Sequence, residues 1–88
     1  MQVEFLEKFN RDLEKISNNV LKSALVKVIE RIEKANSIFE ISNVKKLSGH
    51  KSAYRIRIGD YRVGIFIDGD FIQFGRIAHR KDIYKIFP

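Results

Sequence analysis

The chain has 88 residues with two histidines and no cysteine, and its 17 Lys or Arg outnumber 11 Asp or Glu for a formal net charge of +6. Its length allows one domain, 1–88, that buries only ~60–65% of the unfolded-chain surface, so a single sheet covered by a helix or two is the expected limit. Without cysteine there is neither disulfide nor thiolate-bound metal, His50 and His79 are too isolated for a zinc site, and no apolar run approaches the ~20 residues that span a bilayer, so a cytoplasmic protein with no metal or cofactor is expected.

Residues 2 to 6, QVEFL, fit a short first strand. Phe5, Phe9, Leu13 and Ile16 then recur at helical spacing until Ser17-Asn18-Asn19, three good N-cap candidates. A second helix follows, with Leu21, Leu25, Val28, Ile32 and Ala35 on one face and Lys22, Lys27, Glu30, Arg31, Glu33 and Lys34 mostly outside, a stripe that reads as core. Asn36 to Asn43 reads as a connection. The segments VKKL, AYRIRI, YRVGIFI and FIQFGRIAH then read as strands, the last three separated by Gly59-Asp60 and Asp68-Gly69, dipeptides suited to two-residue hairpin loops of type II′ and type I′ respectively. The expected fold class is α+β, in the order β-α-α-β-β-β(-β), with an antiparallel sheet packed on two N-terminal helices and its other face largely open.

Two-residue loops fix the expected register: Ile58 faces Tyr61, Arg57 faces Arg62, Arg55 faces Gly64, Ile67 faces Asp70, and Arg62 also faces Gly75. One sheet face then collects Tyr54, Ile56, Ile58, Tyr61, Val63, Ile65, Ile67, Ile72 and Phe74 against the helices. The open face collects Arg55, Arg57, Arg62, Gly64, Phe66, Phe71, Gln73, Gly75, Ile77 and His79. Strict alternation puts Arg76 on the core face, which requires a bulge, a partner or snorkelling to the edge.

The charge is one-sided. Residues 1 to 44 carry seven basic and seven acidic side chains, whereas residues 45 to 88 carry ten and four. Such asymmetry is the electrostatic footprint of a polyanion binder, the other reading being an ordinary solvated sheet face. Arg57 and Arg62 directly opposed across strands repel unless counter-charge is supplied. Beside them Gly64 and Gly75 let a ligand backbone come close, giving a trough floored by glycine and walled by guanidinium groups. Arginine forks match phosphate oxygens, and Phe66, Phe71 and Tyr84 offer stacking surfaces for single-stranded bases. The competing arrangement pairs Arg55 and Arg57 with Asp60, Asp68 or Asp70.

The ordered series Lys46-Leu-Ser-Gly49, Tyr54-Arg-Ile-Arg-Ile-Gly-Asp-Tyr-Arg62 and Arg76-Ile-Ala-His-Arg-Lys-Asp-Ile-Tyr84 resembles the RelE branch of the RelE/ParE toxin superfamily of type II toxin-antitoxin modules. The resemblance covers roughly half the chain through these motifs and the helical half by pattern. It implies the RelE-like fold and a ribosome-dependent endoribonuclease, an mRNA interferase, that enters the ribosomal A site and cuts messenger RNA to inhibit translation. Its implied partners are the ribosome, the mRNA and a cognate antitoxin, whose acidic segment is expected over the basic face. Carried over position by position, the basic residues of the Tyr-basic-Ile-basic strand fall on Arg55 and Arg57, that of the next strand on Arg62, the arginine after the last strand on Arg80, and the tyrosine on Tyr84. Lys46, Lys51 and Phe66 join Arg55, Arg57 and Arg62 in the expected RNA-binding set. The sequence departs from the pattern in having arginine where lysine is common, and in stopping four residues after Tyr84 without the C-terminal helix of some members.

Cleavage by 2′-hydroxyl attack on the adjacent phosphorus leaves a 2′,3′-cyclic phosphate and a 5′-hydroxyl, and it needs a base, a charge stabiliser and an acid. Arginines suit only charge stabilisation, because guanidinium groups stay protonated. Tyr84 and His79 are both candidates for proton transfer. The resemblance assigns the base to Tyr84 and the polarising group to Arg80, with His79 as the alternative acid or base. Two other functions fit the same residues less completely: a ParE-like inhibitor of DNA gyrase, which shares the fold but not this residue set, and a non-catalytic nucleic-acid-binding module.

Overall fold

Asn18 starts the longest helix, its side chain accepting a hydrogen bond from Leu21 N–H at 3.0 Å. This satisfies one of the free N–H groups of the first turn of α2 (Asn19–Lys34), which buries Leu21, Leu25 and Ile32. A shorter α1 (Glu7–Glu14) precedes it and buries Phe9. The computed structural model describes residues 1–88 and adds β1 (Gln2–Phe5), β2 (Val44–Lys46), β3 (Ala53–Ile58), β4 (Tyr61–Asp68), β5 (Phe71–His79) and a one-turn helix α3 (Ile83–Ile86). Residues 38–40, within the expected connection, form a 3-10 turn closed by reciprocal capping between Ser37 and Glu40.

The five strands form one sheet in the order β1-β5-β4-β3-β2. The four strands β2 to β5 are antiparallel as expected, but β1 lies parallel to β5, with Val3 beside Ile72 and Phe5 beside Phe74, so the sheet is mixed. The reason is topological. The chain leaves β1 through two helices and re-enters the sheet at the opposite edge, so no hairpin constrains the direction of β1.

The β3–β4 register is the one counted from the sequence: Ile58 opposite Tyr61, Arg57 opposite Arg62 and Arg55 opposite Gly64. At the second hairpin the loop is Gly69-Asp70 rather than Asp68-Gly69, which pairs Asp68 with Phe71 and Ile67 with Ile72. Gly59 and Gly69 both have φ near +60°, and the aspartate after each does not, so the two hairpins share type II′ geometry.

A second departure decides the faces. Between Gly64 and Ile65 the ladder shifts: Ile65 pairs with Phe74 and Gly64 with Arg76, leaving Gly75 as the extra residue of a β-bulge. Beyond it the parity of β5 reverses. Ile77, expected on the open face, is buried in the main core with Phe9, Leu21, Leu25, Ile32, Ile56, Val63, Ile65, Ile72 and Phe74. Arg76 is freed from the core and forms a bidentate pair with Asp12 of α1, Nε to Oδ2 at 2.7 Å and Nη2 to Oδ1 at 3.0 Å. Asp12 Oδ2 also accepts the Ile77 N–H at 3.1 Å, so one carboxylate satisfies both the arginine and a backbone donor past the end of β1. The hydrogen bond that Arg76 donates to Asp12 raises the Arg76 pKa above its ordinary value, against a smaller opposing effect of burial. Both a bulge and a partner thus accommodate Arg76.

The face away from α1 and α2 is less open than the alternation implies. A second apolar cluster forms there from Leu47, Ala53, Ile83 and Phe87, with Phe66, Ala78 and Ile86 packed against it. The chain after β5 lies on the sheet and closes part of that face.

Candidate active site

Beside the covered part of this face is a shallow cavity of about 370 Å³ lined by Asn43, Val44, Lys45, Arg55, Arg57, Arg62 and Tyr84. It contains four basic side chains and no carboxylate. The only ion pairs in the chain are Arg11–Glu7 and Arg76–Asp12, both elsewhere, so the pairing of Arg55 or Arg57 with Asp60, Asp68 or Asp70 does not occur.

Arg57 and Arg62 stand directly opposite each other and are drawn apart by neutral acceptors. Arg57 Nη2 donates to Asn43 Oδ1 at 3.2 Å. Arg62 Nη1 turns back to the hairpin and donates to the carbonyls of Gly59 and Tyr61, each at 2.9 Å. Neither contact removes positive charge. Arg55 lies between them and the C-terminal segment, its guanidinium carbon 4.3 Å from the centroid of the Tyr84 ring, a cation–π contact. Its Nε is buried and has no hydrogen-bond partner. Leaving such a donor unpaired costs about 1–3 kcal/mol. Tyr84 is 70% exposed, a phenol presented to solvent over a cationic floor.

Asn43 has no counterpart in the sequence reading. It adopts a left-handed φ of 63°, which asparagine tolerates better than most residues, and its carbonyl accepts the Arg57 N–H at 2.9 Å. The Ser-Asn preceding a strand was its sequence signal. Lys45 was also missed: it pairs with Arg55 across β2–β3, whereas Lys46 pairs with Tyr54 and falls on the opposite parity. Lys46 and Lys51 line a separate depression with Gly49 and His50.

Other expected members of the site are placed elsewhere. Phe66 packs on Phe87 with ring centroids 5.0 Å apart and belongs to the second cluster. Phe71 begins β5 opposite Asp68, at the far end of the sheet from Arg57 and Arg62. Gly64 and Gly75 are buried under the Phe87 ring rather than open as the floor of a trough. His79 lies across from Tyr61 after the parity reversal, contacts its ring edge-on and lines a depression with Val20, Leu21 and Ala24 of α2. Its Nδ1 accepts the Lys81 N–H at 3.2 Å. It therefore stands on the other face from the arginines. Arg80 is exposed and outside the cavity, with its backbone N–H bound to Asp60 O at 2.8 Å. Tyr84 is carried on the single turn of α3.

Comparison with known proteins bears on the family and the fold. Residues 3–84 match the family described as ParE toxin of the type II toxin-antitoxin system parDE. The chain is 39% identical over 89 positions to toxin RelE3 of Methanocaldococcus jannaschii, covering 100% of both. Its fold superimposes on the RelB-RelE antitoxin-toxin complex from Methanococcus jannaschii with a TM-score of 0.84 and 36% identity, over 97% of this chain and 99% of that one. The archaeal RelE-RelB complex from Pyrococcus horikoshii shares the fold at a TM-score of 0.70 and 20% identity, over 90% and 93% of the two chains. The family match over residues 3–84 and the 39% identity to a RelE toxin along the whole of both chains make this chain a RelE-like member of the RelE/ParE superfamily of type II toxin-antitoxin toxins.

Proposed function

We propose that the protein acts as an mRNA interferase on translating ribosomes, cleaving RNA in the cavity formed by Arg55, Arg57, Arg62 and Tyr84. The observation that carries this reading is the cluster of uncompensated cations around a solvent-exposed phenol. RNA offers a phosphate to the guanidinium groups and a 2′-hydroxyl to the phenol. Tyr84, as its phenolate, takes the 2′-hydroxyl proton, the freed oxygen attacks phosphorus, and the bond to the 5′-oxygen breaks as water protonates that oxygen, giving a 2′,3′-cyclic phosphate and a 5′-hydroxyl. Arg55, Arg57 and Arg62 stabilise the added negative charge of the transition state, and because they start with neutral partners they need not break ion pairs first. Lys45 and the exposed Arg80 contact neighbouring phosphates. Ribosome-held mRNA arrives already oriented, so a small open site contributes mainly electrostatics and a base. The same cavity is the natural place for an acidic segment of a cognate antitoxin.

The match to the ParE toxin description favours a second reading, inhibition of DNA gyrase. Expression in growing cells with mapping of transcript 5′ ends separates the two. Interferase activity gives a translation block with new ends inside coding regions, whereas arrested replication with intact transcripts supports the gyrase reading. On programmed ribosomes, Tyr84→Phe should keep affinity and lower single-turnover cleavage by about 10²–10⁴-fold, the usual cost of losing a general base. Arg62→Ala should weaken both binding and cutting.

A further inference from the structure

Tyr84 reaches the arginines only because the chain after β5 lies down on the sheet, and few contacts hold it there. Arg80 N–H is bound to Asp60 O, but the backbone bonds that follow are local, from Asp82 to His79, Lys85 to Asp82 and Phe87 to Ile83. No backbone bond from residues 82–87 reaches β3 or β4, and no ion pair ties them to the sheet. Apart from the Arg55–Tyr84 contact, attachment rests on apolar side chains: Ile83 is 0% exposed, Phe87 is 4% exposed, and Ile86 packs beside them.

The sheet is shaped to receive one of these. A Cβ added at Gly64 would stand 2.4 Å from Phe87 Cγ, a distance no real contact allows, and one at Gly75 would stand 3.1 Å from Phe66 and 3.3 Å from Phe87. Gly64 faces Arg55 across β3–β4, and Arg55 carries the Tyr84 ring, so the notch and the cavity share a wall. Gly75 is the residue extruded by the bulge, which brings the second glycine beneath the ring.

We propose that Phe87, seated in the notch of Gly64 and Gly75, is a positioning residue that holds Tyr84 at the arginine cavity. The proposal rests on the reading of Tyr84 as the base, but its structural half is testable without activity. The main core beneath α1 and α2 contains none of the arm residues, so loss of the Phe87 ring loosens the arm, which Ile83 and Ile86 still hold to the sheet, and leaves the fold.

The test uses tyrosine-ring-labelled protein followed by NMR, with the Tyr84 signal assigned by its loss in Tyr84→Phe, together with single-turnover cleavage and affinity on programmed ribosomes. Phe87→Ala should move the Tyr84 signal toward that of a free tyrosine while Tyr54 and Tyr61, packed against the main core, stay in place. Cleavage at saturating protein should fall at least about tenfold, bounded by the ~10²–10⁴-fold worth of a base, while ribosome affinity changes far less. Phe87→Leu should retain most of the rate. Gly64→Ala, which expels the ring from the opposite side, should reproduce the Phe87→Ala pattern, and neither change should add to Tyr84→Phe. An unmoved Tyr84 signal in both alanine variants overturns the proposal, and so does movement of Tyr54 and Tyr61 together with Tyr84, which would make Phe87 a general core residue. If Tyr84→Phe cuts at the wild-type rate, the base assignment falls, while the Tyr84 signal still decides whether Phe87 positions the ring.

Discussion

Asp12 is the residue whose removal tests the bulge most directly, because one carboxylate joins α1 to the reversed end of β5. It accepts three hydrogen bonds, two from Arg76 at 2.7 and 3.0 Å and one from Ile77 N–H at 3.1 Å, and its side chain is only 14% exposed against 24% for Arg76. Charge-assisted bonds contribute about 1.5–3 kcal/mol each but are not additive within one cluster. Breaking a fully buried pair costs about 3–5 kcal/mol, and partial exposure of Arg76 lowers that figure. Asp12→Ala should therefore destabilise by about 3 kcal/mol, or roughly 12–24 °C in Tm for a domain of this size. Asp12→Asn retains an acceptor for Ile77 N–H and should lose about half as much, and Arg76→Ala should also lose less than Asp12→Ala because Asp12 keeps its backbone partner. The Arg76 pKa is raised in the folded state, so its contribution is complete below the ordinary arginine value and declines only as pH rises through the shifted one. Arg76 itself thus adds no slope to stability across the neutral range. Thermal and urea unfolding of the three variants measure these differences. A drop of only a few degrees for Asp12→Ala, or equal drops for Asp12→Ala and Asp12→Asn, would refute the assignment of Asp12 to both the arginine and the ladder.

Three further outcomes are expected. Asn43→Ala should destabilise by about 1–2 kcal/mol through its left-handed backbone, whereas Asn43→Gly should be close to neutral in unfolding while still releasing Arg57; equal losses would contradict the role of the backbone. Lys45→Ala should reduce the salt slope of RNA binding by about one ion, with a smaller effect for Lys46→Ala, because only Lys45 lines the arginine cavity; the comparison is made by titration at several ionic strengths. Phe39 is 88% exposed on the 3-10 turn, so Phe39→Ser should change stability by less than about 0.5 kcal/mol in urea unfolding.

What the sequence by itself determined is what short-range chemistry controls. The spacing of Leu21, Leu25 and Ile32 after Asn18 specifies a capped helix with one buried face. Gly59-Asp60 between two alternating runs fixes the β3–β4 register, and with it the opposition of Arg57 and Arg62 and the position of Arg55 beside Gly64. The motifs around Tyr54 to Arg62 and Tyr84 likewise mark four residues that do converge on one cavity. Alternation along a strand is a covalent regularity, so it can be counted for as long as the ladder is unbroken. The bulge ends that regularity, and its surroundings come from distant parts of the chain: Asp12 lies 64 and 65 positions from the partners it satisfies, and the Phe87 ring covers the extruded Gly75. That one extra residue carries Ile77 into the core, Arg76 out to Asp12 and His79 to the face of α2; alternation signals only that Arg76 needs a bulge, a partner or snorkelling to the edge. The direction of β1 and the docking of Ile83 and Phe87 were decided in the same way, by apolar surfaces that meet only after the sheet has formed. Tertiary packing therefore decided which expected residues entered the cavity, because burial of a ring or satisfaction of a charge outweighs the local preference of a strand end.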